Sequence, residues 1–191
     1  MTLYTWLILA LWLTLVSYWG LSAAAVKPSI GRWIWWREIA VRLGLFALLM
    51  QALQVAVIGH VLPDAPLYRL NAGKPLGLVG AVLVAFGIAL AILARAHLGW
   101  KSVTRSSDDR TPGLVTSGPY ALARHPMYGG MLLAMLGSAI GQSVLWLLPL
   151  AVYAPHFIRS ARREEQLLSE QFPERYRSYM KQTKMLLPFV L

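Results

Sequence analysis

Leu114-Val-Thr-Ser-Gly-Pro-Tyr-Ala-Leu-Ala-Arg-His-Pro-Met-Tyr-Gly-Gly130 is a polar interval between two strongly apolar regions of a 191-residue chain. Gly118-Pro119 reads as a turn, because proline fixes its own φ and pushes the preceding residue away from the helical region. His125 also precedes a proline and is expected to be extended, while Pro126 suits the first position of a new helix. The first N–H groups of that helix lack intrahelical partners and carry the positive end of its dipole. Two readings follow. The stretch is an interfacial hinge whose Arg and Tyr anchor a helix at the headgroups, or it is an anion-docking site with Arg124, His125, Tyr120 and Tyr128 around it. On these residues alone the hinge stands first.

The flanking composition sets the class. The chain is 57% hydrophobic and 14% charged, against about 25% charged residues in a typical soluble domain, which points to an integral membrane protein. It holds no cysteine, which excludes disulfides, thiolate catalysis and cysteine metal sites. The net charge of +10 flanks apolar segments instead of forming a hydrophilic domain. It fits anionic headgroups and not nucleic acid. Residues 1–26 have no positive n-region and an apolar run longer than that of a signal peptide, so they are expected to be an uncleaved crossing helix.

The expected fold is all-α, a single membrane domain over residues 1–191 with five transmembrane helices. Three occupy residues 1–96, at about 3–25, 39–61 and 75–96, each long enough for the ~30 Å hydrocarbon layer. From Tyr128 to Phe157 the apolar run is interrupted by Gly141-Gln-Ser143. It reads as a short helical hairpin, each arm roughly 14 residues or ~21 Å. With five crossings, sixteen of the eighteen Lys and Arg residues fall on one side and two, Arg69 and Lys74, on the other. The positive-inside rule then places the N-terminus outside and the C-terminus in the cytoplasm, across the cytoplasmic (inner) membrane. Small residues at packing spacing form expected stripes at Gly77, Ala81, Ala85 and Ala89, and at Gly130, Ala134 and Ser138. Trp33, Trp35 and Trp36 read as an interfacial belt.

After the hairpin, residues 162–172 are expected to form a cytoplasmic amphipathic helix broken by Pro173. A second short helix follows, with Phe172, Tyr176, Tyr179 and Met180 on its packed apolar face. Glu164 and Glu165 diverge by about 100° on a helix, so one is expected inward and the other toward solvent, pairing with Arg162, Arg163 or a lipid-side arginine. The loop after His97 and the tail are each too short to bury a core. Packed together under the membrane helices, they are expected to form a closed pocket lined on one side by the bilayer segments, an arrangement that suits one polar substrate from the cytoplasm and one lipophilic substrate from the membrane. No P-loop, HExxH, GxSxG or GxGxxG is present. The four histidines, His60, His97, His125 and His156, lack metal-ligand spacing, so no metal is expected.

Leu114 to Tyr120, Arg124 to Tyr128 with Gly130, then Glu164-Glu165 followed by Leu168, Phe172, Tyr176, Tyr179 and Leu187-Pro-Phe189, occur in an order that resembles the isoprenylcysteine carboxyl methyltransferase family and its bacterial relatives. The resemblance covers the C-terminal half, from about His97. It implies an integral membrane methyltransferase that uses S-adenosylmethionine, with residues 97–191 as the cofactor-binding catalytic half. By position, Pro112, Gly113, Leu114, Val115, Tyr120, His125, Pro126, Met127 and Tyr128 would line the cofactor pocket, and Glu164 would hold its ammonium group. With the resemblance in hand, the docking reading overtakes the hinge. The family also places an arginine toward the substrate, where this chain has Ser160 with Arg159 and Arg162 as the nearest candidates. Another arginine of relatives is replaced here by Gln182. The acceptor is then a lipophilic carboxylate, amine or thiol, or a membrane lipid, with no nucleic acid and no obligatory protein partner. A carboxylate needs no general base, whereas an amine or hydroxyl does, and only His125 stands out as one. The alternatives are a phospholipid N-methyltransferase, an NADPH-dependent sterol-reductase-like enzyme, ranked lower because Met127 and Gly130-Met131 depart from that pattern, and a non-catalytic scaffold.

Overall fold

The computed structural model describes residues 3–25, 74–104 and 113–186. These residues form α-helices and short 3₁₀ turns, joined by one isolated bridge between Ala123 and Lys184. The helices are α1 (Leu3–Ala25), α2 (Lys74–Thr104), α3 (Pro126–Gly141), α4 (Leu147–Gln171) and α5 (Pro173–Gln182). Among the described residues, three stretches are long and apolar enough to cross a membrane, namely Leu3–Ser22, Pro75–Leu98 and Val144–Gln171. The chain is an integral membrane protein. The expected second crossing at 39–61 and the tryptophan belt before it lie outside the described residues.

The α2 and α3 helices pack antiparallel through glycines. Gly80 lies against Gly137 and Gly141, and Gly87 against Gly130 and Ala134. A Cβ on Gly130 would stand 2.5 Å from the Gly87 carbonyl oxygen, and one on Gly137 would stand 2.8 Å from that of Gly80. Lipid gives helices little hydrophobic reason to associate, so close backbone approach supplies the attraction by dispersion. Of the expected stripe on α3, Gly130 and Ala134 meet α2, but the contact continues through Gly137 and Gly141, while Ser138 faces Trp12 of α1. On α2 the contact runs instead through Gly80, Gly87 and Ala91, while Ala89 faces outward. Gly77 receives the Tyr4 ring of α1. A spacing of four residues describes several faces of one helix, and only the partner selects among them.

Trp12 of α1 ties the bundle together. Its Nε1 donates to Ser138 Oγ at 3.0 Å, and its ring stacks on Trp146 with centroids 5.1 Å apart. Both tryptophans are buried, whereas Phe86, Leu93, Leu148 and Val152 point outward, as lipid-facing residues do.

The chain does turn at Gln142-Ser143, where Ser143 Oγ caps the 3₁₀ turn Val144–Trp146 by accepting from Leu145 N. The two arms are unequal, however. The α3 helix has 16 residues, about 24 Å at ~1.5 Å per residue. The α4 helix has 25 residues and runs unbroken through Pro155 and Arg159 to Gln171. The hairpin arm and the amphipathic helix read separately from the sequence are therefore one element. The α2 helix likewise continues past the expected Ala96 to Thr104. The α5 helix starts at Pro173, as expected, and buries Tyr176 and Tyr179.

Candidate functional site

At the end of the bundle where α3 begins, the chain enters through residues 113–117 and turns at Gly118, whose φ is +64°. Glycine is required there on two counts. The left-handed backbone disfavours a side chain, and a Cβ would lie 2.8 Å from the His97 ring. His97 Nε2 in turn lies 3.1 Å from Ser117 Oγ, fixing the turn to the end of α2. The 3₁₀ turn Gly118–Ala121 buries Tyr120, and its carbonyl accepts a 2.5 Å hydrogen bond from the Tyr179 hydroxyl of α5.

Residues 123–125 then pair with the segment after α5. Arg124 N donates to Lys184 O and His125 N to Met185 O, both at 2.8 Å. This pairing delivers His125 to the start of α3 with Pro126 in its first turn and no side-chain cap on the helix. The uncapped end keeps the positive pole of the α3 dipole available to an anion.

Five side chains, those of Arg124, His125, Tyr128, Glu164 and Glu165, converge below it. The Tyr128 hydroxyl donates to Glu164 Oε1 at 2.8 Å. His125 Nδ1 lies 3.4 Å from Glu164 Oε2, and its Nε2 lies 3.5 Å from Glu165 Oε1. That second approach is an ion-pair distance without hydrogen-bond alignment, because Nε2 is buried with no hydrogen-bond partner. Arg124 Nε donates to Glu165 Oε1 at 2.6 Å, and its Nη1 donates to the carbonyls of Thr183 and Met180. The Tyr128 ring is sandwiched, 4.9 Å from Phe157 and 5.7 Å from His125 between centroids.

Electrostatics follow from this enclosure. Burial alone pushes the His125 pKa down, but the Glu164 and Glu165 carboxylates against its ring outweigh it, and the net direction is up. Burial raises the Tyr120 phenol, with Glu164 adding to the effect, and Tyr179 is pushed up to about 12, chiefly by burial. Both phenols stay protonated, and that of Tyr179 donates to the Tyr120 carbonyl. Glu164 keeps a side-chain exposure of 34% against 6% for His125, so it is the member of the cluster within reach of a ligand.

Of the residues singled out in the sequence, Tyr120, His125, Pro126, Tyr128 and Glu164 gather here. Met127 packs half-buried against the core beside them. Gly113, Leu114 and Val115 lead half-buried into the turn, and Pro112 lies outside the described residues. Arg159 and Arg162 stand exposed on α4, away from the contacts that hold the cluster. The carboxylates also differ from expectation, since Glu165 as well as Glu164 turns inward. The sequence reading missed the reason, which is that Arg124 pairs across 41 positions with Glu165. The adjacency of Arg124 to His125 was the available signal.

The family model for phospholipid methyltransferases matches residues 76–175. Protein-S-isoprenylcysteine O-methyltransferase of Mus musculus is 35% identical over 123 residues, 60% of this chain and 42% of that protein. The nickel-cobalt-cadmium resistance protein NccN of Alcaligenes xylosoxydans xylosoxydans is 31% identical over 115 residues, 58% of this chain and 52% of that protein. The chain thus spans about half the length of these curated relatives. No solved structure matches it. The matched region contains α3, α4 and every side chain of the His125, Tyr128, Glu164 and Glu165 cluster. The chain belongs to the phospholipid methyltransferase family, as a member resembling the isoprenylcysteine O-methyltransferases.

Proposed function

We propose that the protein transfers a methyl group from S-adenosylmethionine to a lipophilic acceptor at the cytoplasmic face of the membrane. The observation that carries this reading is the partly exposed Glu164 carboxylate, held by Tyr128 beside an uncapped helix start. The two features suit the two charges of an amino acid. Glu164 would take the ammonium group, and the start of α3 the carboxylate. Tyr120, Met127 and the 113–115 segment supply the apolar walls around them. The bound cofactor would supply an activated methyl on a sulfonium centre, so the protein needs no covalent intermediate.

What the chain contributes is alignment and exclusion of water, worth ~7–11 kcal/mol when geometry is well held. The clamp of Arg124 on Glu165 and the pairing of residues 124–125 with 184–185 fix His125 and the helix start before ligand arrives. Both ring nitrogens of His125 face carboxylates, which raise its pKa, so the imidazole is not turned toward an acceptor as a general base. That favours an acceptor that arrives ionised, a carboxylate or thiolate, over an amine that must lose a proton. The phospholipid N-methyltransferase reading, which the family description suggests, stands second for this reason. The charge asymmetry supports five crossings with the C-terminus in the cytoplasm, residues 1–96 acting as scaffold and 97–191 as the cofactor-binding half.

The test is equilibrium binding of radiolabelled S-adenosylmethionine, and of NADPH in parallel, to the detergent-solubilised protein. Binding of the methyl donor, weakened by Glu164→Gln, and transfer of label into the lipid extract are expected. Binding of NADPH alone would overturn the assignment.

A further inference from the structure

The outward face of α4 changes character partway along the helix. Leu148 and Val152 are exposed apolar residues. The same face continues at helical spacing through Pro155, Arg159, Arg162, Arg163 and Gln166, all exposed. The opposite face buries Phe157 and Ala161 and carries Glu164 to Tyr128. Arg159, Arg162 and Arg163 therefore stand on the stripe that meets lipid, not on the one that meets the His125 cluster. Among the described residues none of the three is held by a hydrogen bond or ion pair.

A lipid-facing stripe should stay apolar across the ~30 Å hydrocarbon layer. The uncharged run Leu3–Ser22 of α1 does so, as does Pro75 to Ala94 of α2, each ~30 Å long at ~1.5 Å per residue. On α4 the run from Leu147 to Ile158 gives only ~18 Å, and the 3₁₀ turn before it adds ~6 Å. The antiparallel α3 is equally short, at ~24 Å. The shortfall lies at the end that holds the carboxylates. Gly130 of α3 packs against Gly87 and Ala91, so the apolar run of α2 ends about one turn further on, level with Pro126. Arg159 precedes Glu164 on one continuous helix and stands ~7.5 Å closer to the membrane interior. Tilting α4 would only shorten its reach across the layer. Charge exposed at that depth is tolerated where water and headgroups come in to meet it.

We infer that Arg159, Arg162 and Arg163 bind phosphate groups of the surrounding phospholipids and draw that leaflet's headgroup layer inward along α4, to the depth of Glu164. Each guanidinium offers paired donors matched to phosphate. Lipid already faces the apolar half of the same stripe, so phospholipid phosphate is the anion that meets its basic half. The bilayer is thus thinnest on the side of the protein nearest the two carboxylates. This lipid contact is independent of the methyltransferase reading and holds whatever ligand Glu164 takes.

The experiment uses purified full-length protein in nanodiscs, so no partner protein is present. Thermal midpoints are recorded in phosphatidylcholine with monounsaturated chains of about 14 to about 22 carbons. They are recorded again in digalactosyldiacylglycerol of matched chains, a bilayer lipid without phosphate. Wild type should be most stable in a bilayer thinner than the ~30 Å average. Its midpoint should drop by about 5 °C or more in the phosphate-free lipid. Joint replacement Arg159→Leu, Arg162→Leu and Arg163→Leu lengthens the apolar stripe, so the optimum should move to longer chains and the headgroup dependence should vanish. The corresponding triple lysine variant should keep both behaviours in weaker form. An optimum that stays in place in the leucine variant overturns the inference, even if its midpoint is lower in every lipid, because that is a loss of packing alone. A wild-type midpoint indifferent to phosphate also overturns it, since water alone would then solvate the arginines. This headgroup comparison is made on wild type and depends on no variant folding.

Discussion

Arg124 donates from Nε to the Glu165 carboxylate at 2.6 Å, with side-chain exposures of 12% and 15%. The loop before α3 is thereby bolted to the far end of α4, and the same guanidinium reaches the carbonyls of Met180 and Thr183 at the end of α5. Removing one partner of a buried pair leaves the other charge unpaired, which costs about 3–5 kcal/mol. Arg124→Ala should therefore lower the thermal midpoint sharply in detergent. Arg124→Lys should recover part of it, because it restores the charge without the fork.

Glycine contacts between α2 and α3 give a second outcome. Gly130→Ala drives a Cβ to 2.5 Å from the Gly87 carbonyl oxygen, where backbone must move, at a cost of about 1–3 kcal/mol. Gly20→Ala has nothing within 4 Å and should be neutral or stabilising by up to about 1 kcal/mol through helix propensity. Denaturation of the two variants side by side checks the pair, and equal behaviour would contradict the close packing.

Tyr128 separates packing from polarity. Tyr128→Phe keeps the ring stacked on Phe157 and removes the hydroxyl that donates to Glu164, so a stability loss of about 1 kcal/mol is expected. Glu164→Gln should instead act on ligand, weakening S-adenosylmethionine by about tenfold or more, the equivalent of ~1.4 kcal/mol. Isothermal titration of both variants distinguishes a residue that positions the carboxylate from the carboxylate itself.

His125 predicts the pH response. Its pKa is raised in the folded protein, so the folded state binds a proton more tightly than the unfolded chain does. The stabilisation from this group is complete below the ordinary value of about 6.5 and disappears as pH rises through the raised folded value. The thermal midpoint should fall across that interval above about 6.5, and His125→Asn should flatten that step. A wild-type midpoint that rises there would contradict the two-carboxylate setting of the imidazole.

How much of this was legible in the chain depends on whether the controlling force was local. The α3 start at Pro126 and the α5 start at Pro173 follow from the fixed φ and missing N–H of proline, and both appear where expected. The gathering of His125, Tyr128 and Glu164 was visible only through the family resemblance. The continuity of α4 was not legible. Composition shifts from apolar to charged near Arg159, which reads as a boundary, yet backbone hydrogen bonding is indifferent to that shift. The inward turn of Glu165 was also hidden, because adjacent helix positions diverge and nothing near Glu165 in sequence names Arg124 as its partner. The α2 contact face was missed for the same reason, since Gly80 and Gly87 matter only opposite Gly137 and Gly130.

The unbroken α4 rod has a further consequence. It begins among the apolar residues at Leu147 and carries Glu164 and Glu165 about 25 Å further along at ~1.5 Å per residue, with no loop between to absorb displacement. Tyr128 and Arg124 bind those carboxylates to the start of α3, so any displacement of the rod would drag that neighbouring loop along, and the lipid-embedded stem and the ligand-facing tip travel as one rigid lever.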